Sequence, residues 1–106
     1  MTVETNFVIY YDCWIETGHY FVDDSLVVSI WNDSGCVAKI TTCLDSPLVH
    51  ENEAFLDTNN CPWATHFVQE YCLAEPTGIT EKSGFCEYPL YRFNIDELKL
   101  YFKENE

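Results

Sequence analysis

The sequence predicts an α+β fold in which a small antiparallel sheet packs with two helices, in the order β-β-β-α-β-α. Three observations support this prediction: two apolar runs joined by a turn sequence, a stripe of apolar residues at helical spacing, and a helix-capping signal near the end of the chain. The chain has 106 residues, of which 47% are hydrophobic, and no repeat or linker divides it. We therefore expect one folded domain over residues 1–106.

The first strands are expected where β-branched and aromatic residues dominate. FVIYYDCWIE, residues 7–16, predicts a strand. A hairpin follows within SLVVSIWNDSGCVAKITTCL, where NDSG, residues 32–35, has the composition of a tight turn. Leu26, Val28 and Ile30 alternate along its first arm, so one face of the hairpin is expected to join the core.

A helix is expected after a loop in the middle of the chain. Residues 45–60 have no sustained period and predict that loop, with a short strand near AFLD. Five apolar residues then share one helical face: Ala64, Phe67, Val68, Tyr71 and Cys72. Asn60 or Cys61 is expected to cap this helix, with Pro62 in its first turn. The Cys-Pro-Trp sequence is thus explained as a helix start, and Cys72 as a small core residue.

The last quarter of the chain predicts a loop, a strand and a short helix. EPTGITEKSG, residues 75–84, predicts a loop because of its proline and glycine. FCEYPLYRFN predicts a strand in which Pro89 marks an edge position or a bulge. Asn94 and Glu97 form a capping box, so a C-terminal helix is expected to begin there.

Charge is the most informative global property of the sequence. Eighteen Asp and Glu stand against five Lys and Arg, which gives a net charge of -13. Residues 1–81 contain thirteen of these acids and one base, Lys39. Such a surface repels nucleic acid and anionic membranes, and it attracts basic protein surfaces. The same charge could also serve solubility alone, and charge does not separate the two interpretations.

The N-terminal sequence and the hydropathy pattern bear on location. MTVETNF lacks the basic and apolar segments of a signal peptide, and no window approaches the roughly 18 apolar residues that a membrane span needs. We expect a cytoplasmic protein whose cysteines are reduced.

The six cysteines do not predict metal binding or catalysis. No two of them are two or four residues apart, as the close cysteine pairs of zinc sites usually are. Cys61 and His66, five residues apart, are the best remaining pair for a metal site. As a thiol nucleophile Cys61 is disfavoured, because a helix directs residues five apart to different sides and Asp57 opposes thiolate formation. No catalytic triad, phosphate-binding loop or basic patch is recognised. We expect a protein that is not an enzyme and has no cofactor or metal.

Two segments carry a resemblance to a known family. ENEAFLDTNNCPWATHFV, residues 51–68, and EPTGITEKSGFCEYPLYRFN, residues 75–94, are similar to the family known as domain of unknown function 4313. The resemblance implies a small acidic protein of a bacterial mobile element or phage, and it transfers no catalytic residue because the family has no settled function. Small acidic proteins of that setting often resemble inhibitors of nucleic-acid-directed defences, including anti-CRISPR proteins.

We therefore expect a protein-binding module that inhibits a basic, nucleic-acid-handling bacterial protein by mimicking nucleic acid. Aromatic anchors with an acidic rim are typical of such interfaces, although the aromatic residues could equally fill a thin core. The expected partner-binding residues are Asp23, Asp24, Asp33, Glu51, Glu53 and Asp57, with Trp14 and Trp31 as anchors. One alternative is an accessory or regulatory protein whose acidity serves solubility only. Another is a thiol or metal protein centred on Cys61.

Overall fold

The computed structural model of the protein describes residues 1–103, and the chain in this range forms nine strands and two helices. The strands are β1 (Val3–Glu4), β2 (Ile9–Tyr10), β3 (Trp14–His19), β4 (Leu26–Asn32), β5 (Gly35–Lys39), β6 (Thr41–Thr42), β7 (Glu53–Leu56), β8 (Ala74–Ser83) and β9 (Cys86–Phe93). The helices are α1 (Ala64–Glu70) and α2 (Ile95–Lys99). The α+β class is confirmed, but the predicted order β-β-β-α-β-α is wrong because strands were missed on both sides of α1.

The strands form three antiparallel sheets and not one small sheet. β1 pairs with β2, β3–β4–β5 form a three-stranded sheet, and the third sheet has the order β6–β7–β9–β8. Buried Ile40 joins the two larger sheets: its N–H donates to the Val28 carbonyl at 3.0 Å, and its own carbonyl accepts the Asp57 N–H at 2.8 Å.

The first predicted strand, over residues 7–16, is divided into β2 and β3. Asp12 lies between them with φ at 55°, in the left-handed region that Asp adopts more readily than most residues. An extended strand has no such residue, so the chain bends there. The composition of the segment indicated strand but did not reveal the bend.

The hairpin over β4 and β5 is confirmed, including its turn at residues 33–34. Leu26, Val28 and Ile30 are buried on one face, as their alternation predicts. A register shift follows Ile30, and Gly35 adopts φ of 124° after the turn.

The loop predicted over residues 75–84 is wrong, because that segment is the long strand β8. β8 is one of the two edge strands of its sheet, so Pro76 removes no interstrand hydrogen bond that the sheet requires. Gly78, with φ of 88°, lies within a register shift between Pro76 and Thr80. Pro89 faces Thr80 at the end of this irregularity, but its strand β9 is central and not at the edge.

Helix α1 begins later than predicted. Trp63 occupies the N-cap and makes no side-chain capping hydrogen bond, so neither Asn60 nor Cys61 is the cap. Both belong to a preceding turn, in which the Cys61 N–H donates to the Asp57 carbonyl at 2.8 Å. Cys72 lies beyond the helix with φ of 57° and is exposed, so it is not the core residue that the apolar stripe indicated.

The second helix follows the predicted capping signal. The Asn94 side chain accepts the Glu97 N–H at 3.2 Å, which fixes the start of α2. Its buried residue Leu98 joins one hydrophobic cluster with residues of the larger sheets and of α1, including Ile30, Leu56 and Phe67. Among the described residues, no helix is long and apolar enough to cross a membrane.

Candidate functional site

Three of the sequence-predicted acids line one cleft, which we call the acidic cleft. It has a volume of about 560 Å³ and lies between the β3–β4 turn, the loop before β7, and the start of α2. Its lining residues are Thr17, His19, Asp23, Asp24, Ser25, Leu26, Val49, His50, Glu51, Asn52 and Ile95. This lining contains three carboxylates, two histidines and neither lysine nor arginine. The cleft therefore suits a basic group of a partner.

The β3–β4 turn holds one wall of the acidic cleft in place. The Tyr20 N–H donates to the Ser25 carbonyl at 2.8 Å, and the Asp24 N–H donates to the Tyr20 carbonyl at 2.9 Å. The Tyr20 hydroxyl also donates to the Thr41 carbonyl at 3.0 Å. These bonds tie the turn to its own strands and to β6.

Asp23 is a structural carboxylate of this turn. Its Oδ1 accepts the Ser25 N–H at 2.9 Å and the Ser25 hydroxyl at 2.6 Å. Burial alone would raise the pKa of Asp23, but the hydrogen bonds from Ser25, together with the nearby Cys43 thiol, lower it overall. Its Oδ2 is buried with no hydrogen-bond partner among the described residues. Asp23 therefore shapes the cleft more than it faces a partner.

Asp24 and Glu51 are the exposed carboxylates of the acidic cleft. Asp24 has φ of 59°, and Asn52, next to Glu51, has φ of 65°. Each wall of the cleft therefore contains a residue in the left-handed region, which Asp and Asn adopt more readily than most residues. The loop that carries Glu51 is fixed to the start of β7, because the His50 N–H donates to Glu53 Oε1 at 3.0 Å.

Glu53 and Asp57 do not belong to an exposed acidic face, which corrects the sequence-based expectation for these two residues. Glu53 is 2% exposed, and its Oε2 pairs with Arg92 Nη2 at 3.0 Å. Asp57 is 9% exposed, and its carboxylate accepts hydrogen bonds from the backbone and side chain of Asn60. Both carboxylates are already satisfied within the fold, so they are not available to steer a partner.

Asp33 is exposed but lies away from the acidic cleft. It occupies the β4–β5 turn, whereas the cleft is at the other end of β4. The length of that strand separates the two sites by roughly 20 Å, at a rise of about 3.3 Å per residue. The predicted acids thus do not form one continuous face.

Trp14 and Trp31 pair across β3 and β4 but not beside the acidic cleft. Both are half-buried, and their indole N–H groups donate within the fold, to Glu16 Oε2 at 3.0 Å and to Ser29 Oγ at 2.9 Å. Lys103 Nζ also lies 4.4 Å from the ring centroid of Trp14. Both tryptophans therefore make their polar contacts within the protein itself. They lie at the end of β3 opposite to His19, which lines the acidic cleft.

The sequence interpretation missed an exposed aromatic residue in the turn that supplies Asp23 and Asp24 to the acidic cleft. Phe21 lies in the β3–β4 turn, two residues before Asp23, and its side chain is fully exposed. The signal was the apolar pair Phe21-Val22 between a strand and two aspartates, where turns usually carry polar residues.

The Cys61 region does not show the geometry of a thiol or metal site. Burial, reinforced by the charge of Asp57, raises the pKa of the Cys61 thiol to about 11, so the thiol is protonated at neutral pH. Its Sγ donates to the Lys39 carbonyl at 3.7 Å. His66 is exposed and pairs with Glu70 at 3.4 Å. No group of three or more His, Cys, Asp or Glu within residues 1–103 is arranged to hold a metal ion.

Comparison with protein-family models found a match over most of the chain. A family model described as "Domain of unknown function (DUF4313)" matches residues 15–105. Comparison with curated proteins and with solved structures found no match.

Proposed function

We propose that this protein, which belongs to the DUF4313 family, is a cytoplasmic, non-enzymatic binding module that inhibits a basic, nucleic-acid-handling bacterial protein. The observation that carries the proposal is the acidic cleft. Asp24 and Glu51 are exposed there, Asp23 supports them, and the lining residues include no lysine or arginine that would neutralise them.

The electrostatics of the whole chain support a basic partner. A net charge of -13 on a small protein raises the rate of encounter with a positively charged surface, and it disfavours nucleic acid and other acidic proteins. The acidic cleft adds a concave site at which this overall negative charge can act on one group of the partner. A protruding Lys or Arg side chain of the partner fits a concave site lined by carboxylates.

Inhibition follows if the surface that the partner offers is its nucleic-acid groove. Such grooves are lined with Lys and Arg because the phosphate backbone is densely charged. A protein that places carboxylates against those side chains competes with nucleic acid without being a substrate. This is the nucleic-acid-mimic form of the proposal, and its setting is a bacterial mobile element or phage.

A second interpretation is favoured by the distribution of the remaining acids. Glu4, Glu16, Asp33, Glu75 and Glu87 are exposed on different strands or turns, outside the acidic cleft. A scattered pattern is what solubility alone requires. In that case the protein is an accessory or regulatory protein, and the cleft has no privileged role.

Affinity capture from bacterial lysate at low salt, with elution by a salt gradient, separates the two interpretations. The test variant is Asp24→Asn with Glu51→Gln, because Asn tolerates the left-handed backbone of position 24. The matched control is Glu4→Gln with Glu87→Gln, which removes the same charge from exposed sites outside the cleft.

The proposal predicts that the native chain and the control retain the same nucleic-acid-binding protein and that the test variant loses it. The retained protein should also lose DNA or RNA binding when the native chain is added. Equal retention by both variants, or capture of no nucleic-acid-binding protein, contradicts the proposal and favours the solubility interpretation.

A further inference from the structure

The turn between β3 and β4, which supplies Asp23 and Asp24 to the acidic cleft, also carries two exposed apolar side chains. Phe21 is 103% exposed and Val22 is 68% exposed, and they immediately precede Asp23 and Asp24. The free protein makes little use of this apolar surface, although burying a phenylalanine ring is strongly favourable. The ring is therefore available to a partner without loss to the fold.

The same turn is held rigidly enough to act as a preformed anchor. Backbone hydrogen bonds close it between Tyr20 and Ser25, and the Asp23 carboxylate accepts two further bonds from Ser25. A side chain presented by a fixed turn loses less conformational freedom on binding than one on a mobile segment. Aromatic residues, including phenylalanine, are enriched at the buried centre of protein interfaces.

We infer that Phe21 and Val22 enter a hydrophobic pocket of the partner, while Asp24 and Glu51 contact Lys or Arg side chains at the border of that pocket. This inference rests on the proposed function and specifies the partner surface. It also replaces Trp14 and Trp31 as the aromatic anchors, since their indoles are engaged within the chain.

Charge complementarity selects this occupant over the others that an exposed aromatic turn could serve. A second copy of the chain would bring its own charge of -13 against the three carboxylates of the acidic cleft. An anionic lipid surface is repelled for the same reason. A protein pocket with a basic rim would bury the Phe21 ring and pair the carboxylates with basic side chains.

The chain contains a matched control for Phe21. Phe85 is 110% exposed in the turn between β8 and β9, next to Gly84, and it does not line the acidic cleft. Phe21→Ala and Phe85→Ala therefore remove the same side chain, fully exposed in both cases, from two different turns. Phe21→Leu serves as the conservative variant that keeps an apolar side chain at the anchor position.

The test measures binding kinetics of these variants against two ligands. The first is the protein captured through the acidic cleft, and the second is poly-L-arginine, which has positive charge but no pocket. Phe21→Ala should raise the Kd for the captured protein by at least about tenfold, mainly through faster dissociation, while Phe85→Ala and Phe21→Leu change it little. None of these three variants should change binding to poly-L-arginine. The double variant Asp24→Asn with Glu51→Gln should weaken that binding.

The possible outcomes separate this inference from the proposed function. An unchanged Kd for Phe21→Ala, or an equal loss for Phe85→Ala, overturns the inference and leaves the acidic cleft as a charge-only site. A Phe21→Ala loss that extends to poly-L-arginine also overturns it, because the variant would then have altered the cleft and not an anchor. Capture of no basic protein at all overturns the proposed function together with the inference.

Discussion

Glu53 and Arg92 are cross-strand partners on β7 and β9, and their side chains form an ion pair that is buried at one end only. The Glu53 side chain is 2% exposed, whereas that of Arg92 is 60% exposed. Arg92 Nε and Nη2 both donate to Glu53 Oε2, at 3.2 and 3.0 Å, and Oε1 accepts the His50 N–H. The pair thus links the four-stranded sheet to the loop that forms one wall of the acidic cleft.

Removal of Arg92 is expected to destabilise the fold, since it leaves the buried Glu53 carboxylate without its counter-ion. We predict that Arg92→Ala lowers the free energy of unfolding by roughly 3 kcal/mol. Urea denaturation measures this loss, with Lys82→Ala as the control because Lys82 is exposed and forms no ion pair among the described residues. A change for Arg92→Ala no larger than that of the control would show that the pair is dispensable.

The burial of Glu53 and its pairing with Arg92 could not be predicted from the sequence. Glu53 was expected on the surface because it is a carboxylate in a polar segment, and its partner is 39 residues away in the sequence. Charge and local periodicity carry no information on such a contact. By contrast, the stripe of Ala64, Phe67 and Val68 was predicted correctly, because helical spacing alone decides which side chains face the core.

The Asp23 carboxylate should make stability depend on pH. Its pKa is lower in the folded chain than its ordinary value, so its stabilising contribution is present above the ordinary pKa of about 3.9 and is lost as pH falls through the folded value. We predict that Asp23→Ala costs about 1–2 kcal/mol at pH 7 and that this difference shrinks below about pH 4. Thermal denaturation across this range measures it.

The neighbouring residue provides the comparison for that experiment. Asp24→Asn changes an exposed carboxylate whose side chain accepts no hydrogen bond among residues 1–103, so it should leave stability at pH 7 nearly unchanged. A pH-independent loss for Asp23→Ala would mean that the Asp23 charge does not stabilise the turn.

The thiol of Cys61 should be unreactive. With a pKa of about 11, roughly one molecule in ten thousand carries the thiolate at pH 7, and the residue is buried. We predict that iodoacetamide modifies exposed Cys36 and Cys72 well before Cys61, as followed by mass spectrometry of peptides. Early modification of Cys61, or zinc binding at one equivalent that Cys61→Ser abolishes, would restore the thiol or metal interpretation.

Two glycines of the three-stranded sheet, on its two outer strands, should respond in opposite directions to alanine. Gly18 lies in β3, and a Cβ there would contact nothing within 4 Å, so Gly18→Ala should stabilise the protein by about 0.5–1 kcal/mol. Gly35 has φ of 124°, so Gly35→Ala should destabilise it by about 1 kcal/mol or more. Denaturant unfolding of both variants measures the two effects, and a stability change of the same sign would contradict this reading of the backbone.

The candidate site was accessible to sequence reasoning only in part. Asp23, Asp24 and Glu51 were selected for their charge, but their meeting in one cleft depends on left-handed backbone at Asp24 and Asn52, which composition does not reveal. Phe21 was not selected, because GHYFVDD, residues 18–24, has the composition of a strand and gave no sign that this aromatic residue lies in an exposed turn. The structure places Phe21 in a turn, where its side chain is fully exposed.

The most direct test of the acidic cleft as a binding site is the association rate for the captured basic protein, measured at several salt concentrations. We predict that Asp24→Asn with Glu51→Gln lowers the association rate several-fold at low salt and flattens its salt dependence, while Glu4→Gln with Glu87→Gln has a smaller effect. Equal changes for the two double variants would contradict a localised site and leave the charge of this protein as a property of its whole surface.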